Sequence, residues 1–348
     1  TIIVTDSDGN ASNTLSVTSF TISDDTPGDD DTTSSSSSSN GQFVAVGEDG
    51  TIVTSTSTSS NLWGVTYANS KFVFVGTSGT ILNSSDNGTT WIPRTSGTTN
   101  HLRDVIYANS KFVSVGASGT ILTSDNGTTW TSMTSGTTKG LRAIAYGCIL
   151  PACTRSISTF VTVGESGTIL TSSDGISWED RTDTNVTSKK LRGITYGSSD
   201  DPIFVAVGRT GTILTSSNGY GTSWTSRTSG TTKKLNGITY GNSTYVTVGN
   251  SGTILTSTDG TSWTERTSGT TENLNGVTYD NSLFVAEGDS GTILTSSDGT
   301  TWTSRTSGTT EGLKRVTYEN STFVSVGNSG TILNSSNGTT WTSVSVGN

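Results

Sequence analysis

Apolar and polar residues alternate along most of this chain in short runs, and the runs recur. A typical stretch, Leu274 to Gly312, reads LNGVTYDNSLFVAEGDSGTILTSSDGTTWTSRTSGTTEG. It holds four short segments rich in Val, Ile, Thr, Tyr, Phe and Trp, parted by Gly, Asn, Asp and Ser. That pattern predicts strands joined by tight turns. No segment repeats its apolar residues at helical spacing. We name the strands A (Leu-x-x-Val-Thr-Tyr), B (Phe-Val-x-Val-Gly), C (Gly-Thr-Ile-Leu-Thr-Ser) and D (Trp-Thr-Ser-Arg-Thr).

The string GTIL starts at Gly79, Gly119, Gly167, Gly211, Gly252, Gly291 and Gly330, and a GTIV variant starts at Gly50. From Gly167 onward the steps are 44, 41, 39 and 39 residues. Four antiparallel strands in a unit of this length predict the blade of an all-β propeller. A solenoid would need shorter units, and an immunoglobulin-like array longer ones, near 100 residues. Complete A–D units begin at Leu62, Leu102, Leu141, Leu191, Leu235, Leu274 and Leu313, which predicts seven blades. A further B–C pair lies upstream, at Phe43–Gly47 and Gly50–Ser55, without an apolar A strand or a D tryptophan. Eight blades with a degenerate first one is therefore the alternative. The expected layout is a β-hairpin over residues 1–23, a Ser/Asp-rich linker over 24–41 and a propeller over 42–348. The hairpin is similar to the last hairpin of a bacterial immunoglobulin-like surface domain, and could equally supply assembly strands.

Hydrophobic residues make up 29% of the chain, which suits pleated sheets rich in Thr and Val better than a helical core. The formal charge is −9 and the pI about 4.6, so nucleic acid is not an expected partner. No apolar run approaches the ~18 residues of a membrane span. The chain begins at Thr1 without a signal-like segment, which reads as a processed piece of something longer. Cys148 and Cys153 are spaced C-x4-C and the only histidine, His101, is distant in sequence. A loop disulfide within the insertion between strands A and B of the third unit is expected, rather than zinc ligation. That bond would place the chain in an oxidising compartment. No metal or cofactor is expected.

Between strands C and D most units carry S-x-D-x-G-x-x-W or a near relative, with Asp86, Asp125, Asp174, Asn218, Asp259, Asp298 and Asn337 at the acidic position. This resembles the Asp-box of the BNR-repeat proteins. The whole unit resembles the photosystem II assembly-factor type of propeller, from Phe43 to Trp341. The expected role of the box is structural. Its Asp or Asn accepts backbone N–H bonds as in an Asx-turn, its Gly supplies positive φ, and its Trp plugs the gap between blades. Sialidases also carry Asp-boxes, but their three arginines, Tyr–Glu pair and acid–base Asp break the repeat. Here the tyrosines that end strand A and the arginines of strand D obey it, so no enzyme is expected.

Strand A should be innermost, with its second residue ringing one mouth of the channel, on the face opposite the Asp-boxes. That ring reads Trp63, Arg103, Arg142, Arg192, Asn236, Asn275 and Lys314. Its four cations suit an acidic peptide or another carboxylate-bearing ligand such as a glycan. Glu287 stands where other units have Val, and Arg315 stands in the next unit, so a Glu287–Arg315 ion pair is expected. The resemblance implies protein recognition in general. The resulting expectation is a non-catalytic interaction or scaffold module of a large secreted or surface protein, acting in adhesion or assembly. The alternatives are a fibre subunit assembling through residues 1–23, and a glycan-binding or sialidase-like propeller.

Overall fold

The computed structural model describes residues 42–46, 52–56, 60–85, 91–148, 158–197, 203–216, 220–319 and 321–344. Seven four-stranded antiparallel sheets follow one another, each ordered A-B-C-D and each made of four consecutive strands. They are blade 1 (residues 62–94), blade 2 (102–133), blade 3 (141–180), blade 4 (191–227), blade 5 (235–266), blade 6 (274–305) and blade 7 (313–343). Each A strand lies beside the A strands of both neighbours, and that of blade 7 lies beside that of blade 1. The A strands therefore form the inner wall of a closed seven-bladed ring.

The core is divided among seven seams. Each apolar cluster joins two neighbouring blades, as where Val73, Val75 and Ile81 of blade 1 meet Leu102, Val105, Phe112 and Leu122 of blade 2. The closing seam packs Val324, Val326 and Ile332 of blade 7 on Leu62, Phe72 and Phe74 of blade 1. The strand-B rings of Phe72, Phe112, Phe160, Phe204, Phe284 and Phe323 are fully buried. Each contributes about 1.5–3 kcal/mol through burial alone. In every blade the tyrosine ending strand A tilts onto the strand-B ring, as for Tyr67 and Phe72, whose centroids are 4.6 Å apart. These tyrosines are half-buried flanking groups, not the core residues that the repeat suggests.

The chain divides into two compact units, residues 1–57 with 348, and residues 58–347. The upstream pair, Gln42–Val46 and Ile52–Thr56, forms its own two-stranded sheet and is none of the seven blades. The first blade of the ring begins at Leu62. The expectations for residues 1–23 and 24–41 lie outside the described residues.

The GTIL repeat has a steric origin. Strands B and C are joined by a tight turn whose last residue is this glycine, with φ of +72° at Gly79. A Cβ there would lie 1.9 Å from the Thr98 carbonyl oxygen of the loop leaving strand D. No other residue fits both the backbone conformation and the approach.

The expected Glu287–Arg315 pair does not form. Arg315 reaches past blade 1 to Asp104 of blade 2, with Nη2 2.8 and 2.9 Å from the two carboxylate oxygens. Asp104 is buried and also accepts the amides of Val105 and of Ile144 in blade 3. Burial raises its carboxyl pKa, and Arg315 with the two amides opposes that rise. The geometry explains the exchange of partners: a single Arg315 nitrogen reaches both Asp104 oxygens, whereas Glu287 lies fully buried in the seam between blades 6 and 7. Glu287 accepts a short hydrogen bond from the Ser325 hydroxyl, while its Oε1 has no hydrogen-bond partner. Burial pushes its carboxyl up to about 8.

An unfolded chain releases the Glu287 proton at the ordinary carboxylate value, whereas the native chain keeps it. Native Glu287 should therefore cost stability as pH rises from 4.5 to about 8, at up to about 1.4 kcal/mol per pH unit. The unfolding free energy of the wild type should fall through that window relative to Glu287→Gln, measured by urea denaturation at several pH values. Parallel curves would remove this account. Asp104→Ala leaves the buried Val105 and Ile144 amides without this acceptor and should cost about 1–3 kcal/mol, read in the same assay.

Candidate functional site

The loops joining strands C and D share one hydrogen-bond pattern. In blade 3 the Asp174 Oδ1 accepts the amides of Ile176 at 2.8 Å and Ser177 at 2.9 Å. The Ser172 hydroxyl donates to the same oxygen at 3.0 Å and accepts the Gly175 amide at 2.8 Å. Asp259, Asp298 and Asn337 repeat it. Burial works to raise the Asp174 carboxyl, but the Ser177 and Ile176 amides hold it below its ordinary value. The Thr300 hydroxyl and the Thr301 and Thr300 amides hold Asp298 well below it. The tryptophan that follows donates its indole N–H to the loop glycine in blades 3 to 7, as Trp302 does to Gly299 O at 3.0 Å. The Oδ1 acceptor of each of these loops is thus spent on the chain's own amides and on a serine hydroxyl.

Two positions differ from expectation. In blade 2 the pattern is made by Asn126, whose Oδ1 accepts Thr128 N at 2.8 Å and Thr129 N at 3.0 Å. Asp125 turns outward to Lys111 at 2.7 Å. The reason is counting: this loop has the length of the others only if Asn126 precedes the turn glycine, Gly127. In blade 4 the glycine receiving the indole is Gly221, which follows Tyr220. Asp86, Asn218 and Cys153 lie outside the described residues, as does the side chain of Cys148.

At the opposite face, strand A carries the same irregularity in all seven blades. Its first residue pairs with the glycine ending strand B, and its third with the residue before that glycine. The second residue is left over as a β-bulge. A bulge re-aims a side chain out of the ladder. The seven bulged residues are Trp63, Arg103, Arg142, Arg192, Asn236, Asn275 and Lys314. The structure divides them into two groups.

Asn236 and Asn275 are committed to the fold. Asn236 Nδ2 donates to Leu274 O at 2.8 Å and to Asn250 Oδ1 at 3.0 Å. Asn275 Nδ2 donates to Leu313 O at 2.9 Å and to Asp289 Oδ1 at 2.8 Å. Lys314 completes this side with an ion pair to Asp289 at 3.1 Å.

The other side is cationic and unsatisfied. The Nε atoms of Arg103, Arg142 and Arg192 are buried and have no hydrogen-bond partner. Burial, then the neighbouring arginines Arg142, Arg103 and Arg209, lower the Arg192 guanidinium to about 10. Burial and Arg142 lower Arg103 to about 10 as well, with Glu165 opposing. Lys234 is depressed by burial and then by Arg192 and Arg209. Glu165 binds Lys190 at 2.7 Å and Arg142 at 3.2 Å, and Lys190 foremost holds its carboxyl at about 2. Trp63 flanks the group, with the Arg103 guanidinium 4.9 Å from its ring centroid and the exposed His101 against its edge. His101 is otherwise structural, because its Nδ1 accepts the Ser78 amide at 3.0 Å.

Sequence reasoning placed the ring but missed the turn residues that set its charge. Glu165, Arg209 and Asp289 occupy the first position of the B–C turn. Their signal was visible: the residue after Val-Gly (Glu-Gly in blade 6) and before Ser-Gly-Thr or Thr-Gly-Thr varies freely, reading Thr77, Ala117, Glu165, Arg209, Asn250, Asp289 and Asn328.

The corrected register in blade 2 has a direct check. Asn126→Ala should destabilise the propeller by about 1 kcal/mol or more, whereas Asp125→Ala should change it by less than about 0.5 kcal/mol. Equal melting shifts for the two would restore Asp125 to the turn.

Residues 198–307 match the DUF6242 beta propeller domain family. No curated protein sequence matches the chain. Solved structures are similar at low identity. YCF48 from Cyanidioschyzon merolae superposes with a TM-score of 0.59 at 18% identity, over 80% of this chain and 95% of that one. The structure described as YCF48 bound to D1 peptide gives 0.63 at 19%, over 80% and 92%. The computationally designed Ika8 protein gives 0.57 at 13%, over 80% and 84%. The chain is thus a seven-bladed β-propeller with four-stranded antiparallel blades, of the type seen in YCF48.

Proposed function

We propose that this chain is a non-catalytic protein-binding scaffold whose propeller takes an acidic peptide segment at the bulge-lined mouth. The observation that carries this reading is the group of three arginines on consecutive bulges, each with a buried Nε that lacks an acceptor. Guanidinium groups held together against mutual repulsion favour an incoming carboxylate, and Arg presents donors matched to its geometry. The similarity to a propeller solved with a bound peptide supports a polypeptide ligand. A glycan-cleaving site would need a Tyr–Glu pair near the arginines. The strand-A tyrosines instead lie four residues beyond the bulge, against strand-B rings.

The C–D loops serve as Asp-boxes in a purely structural sense, and the module works at the cell surface or outside the cell, in adhesion or assembly. The Cys148–Cys153 disulfide belongs to that setting. Alkylation before reduction, followed by mass spectrometry, should find neither thiol modified. Two alkylated cysteines would count against the oxidising compartment.

Peptide binding is tested with a labelled oligoglutamate and its oligoglutamine counterpart. Only the acidic peptide should bind, and added salt should weaken it. Arg103→Gln and Arg192→Gln should each weaken binding about tenfold or more. Lys71→Gln, on the face of the C–D loops, should leave it unchanged. Arginine variants that bind as well as the wild type would refute the site.

A further inference from the structure

The charge of this chain is segregated. Residues 1–57 contain nine Asp and Glu and no Lys or Arg, so the whole net charge of −9 resides there. Beyond residue 57 the remaining 19 Asp and Glu are balanced by all 19 Lys and Arg. Five of the nine acids fall within one run of eight, DDTPGDDD, at Asp24, Asp25, Asp29, Asp30 and Asp31. The propeller is thus electrically neutral as a body, yet concentrates Arg103, Arg142, Arg192 and Arg209 on one side of one mouth. Of the carboxylates on the mouth-side turns, Glu165 is already spent on Arg142 and Lys190, and Asp289 on Lys314 and two asparagines.

We infer that the cationic half of the mouth binds the aspartate-rich segment 24–31 of a second copy of this chain. The inference rests on the reading of the mouth as an acidic-peptide site, and adds the identity of its occupant. Three features favour this segment. It carries five carboxylates and no cation, so nothing in it repels the arginines. Pro27 and Gly28 divide the acids into a pair and a triplet, so the two groups can meet different arginines. An extended segment can lay its carboxylates along bulges that belong to successive blades. The side chains of Arg103 and Arg192 are only partly buried and, unlike Arg142, are in no ion pair among the described residues, so their guanidinium groups are left for those carboxylates.

Because segment and mouth are different surfaces, the contact is heterologous. One copy offers its segment while its own mouth stays available to the next, so association propagates head to tail and not into a closed two-fold dimer. Its strength should fall with ionic strength, since the pairing is between charges at a solvent-accessible rim.

The test uses the full chain in sedimentation velocity over a range of concentrations. The wild type should form a concentration-dependent ladder of species at low salt that collapses to monomer at high salt. Replacing the five aspartates by Asn should give a monomer, as should the double variant Arg103→Gln/Arg192→Gln, with association weakened at least about tenfold in each case. The two variants together provide the decisive arm. The aspartate-free chain keeps its mouth and the arginine variant keeps its segment. Mixed, they should form a heterodimer and stop there. A wild type that stays monomeric at every concentration, an aspartate-free chain that associates like the wild type, or a mixture that fails to pair would each overturn the inference. A wild type that stays monomeric while its aspartate-free variant captures a synthetic 23–32 peptide would show a segment held within its own chain, and would also overturn it. The underlying reading fails separately: it is lost if oligoglutamate does not bind in an arginine-dependent way. It survives if oligoglutamate binds while copies do not associate.

Discussion

Closure of the ring rests on the seam where blade 7 meets blade 1. Each blade is made of its own four strands, and among the described residues no strand crosses that seam and no ladder of backbone hydrogen bonds holds it. Side chains do this work, through apolar packing, the Ser329 amide donating to Asn61 Oδ1 and the Arg315–Asp104 pair, and the sequence strengthens the packing locally. The middle residue of strand B is small in every other blade, reading Ser114, Thr162, Ala206, Thr247, Ala286 and Ser325, but blade 1 has Phe74. Its ring stacks on Trp91 with centroids 4.0 Å apart and planes 23° apart, and is fully buried. The hydrophobic effect is non-directional, so an additional buried ring strengthens the closing seam without demanding any special backbone geometry.

The same repetition that builds the ring creates its one variable surface. A bulge at a fixed place in strand A removes one residue per blade from the ladder. That residue has no role in pairing, so its chemistry is free. Blades 5 and 6 use the freedom for structure, with Asn236 and Asn275 each bonding the first strand-A carbonyl of the next blade. Blades 2, 3 and 4 place arginines there instead, where no backbone partner takes up Nε. Architecture and recognition thus share one position, and the divide between them falls between Arg192 and Asn236.

Strand order, blade content and the position of the variable second strand-A residue were legible in the sequence because each has a local cause, whereas the bulge there was not. The GTIL glycine must admit the carbonyl of a neighbouring loop, and a strand-B aromatic must fill a seam, so both recur. What was not legible depended on spatial neighbours. Counting from the aspartate put Asp125 in the turn, although only the distance to the turn glycine decides which side chain faces the amides. The upstream B–C pair carries the right residues for a blade but forms a two-stranded sheet among the described residues. Arg315 was assigned to Glu287 because the two are adjacent in the repeat. Its actual partner, Asp104, lies 211 positions away along the chain. The turn residues Glu165, Arg209 and Asp289 escaped notice because a variable position looks like noise until its neighbours across the blade boundary are known.

The Arg315–Asp104 pair acts as a gauge of ring size. It spans a single intervening blade and holds both ends of the repeat array in register. A duplicated unit inserted within blade 1 would move the guanidinium out of reach and leave a buried carboxylate uncompensated. A deleted unit would press the two groups into blades that abut directly. Repeat arrays gain and lose units readily by recombination. A single charge pair fixed across the join makes such changes costly in this chain.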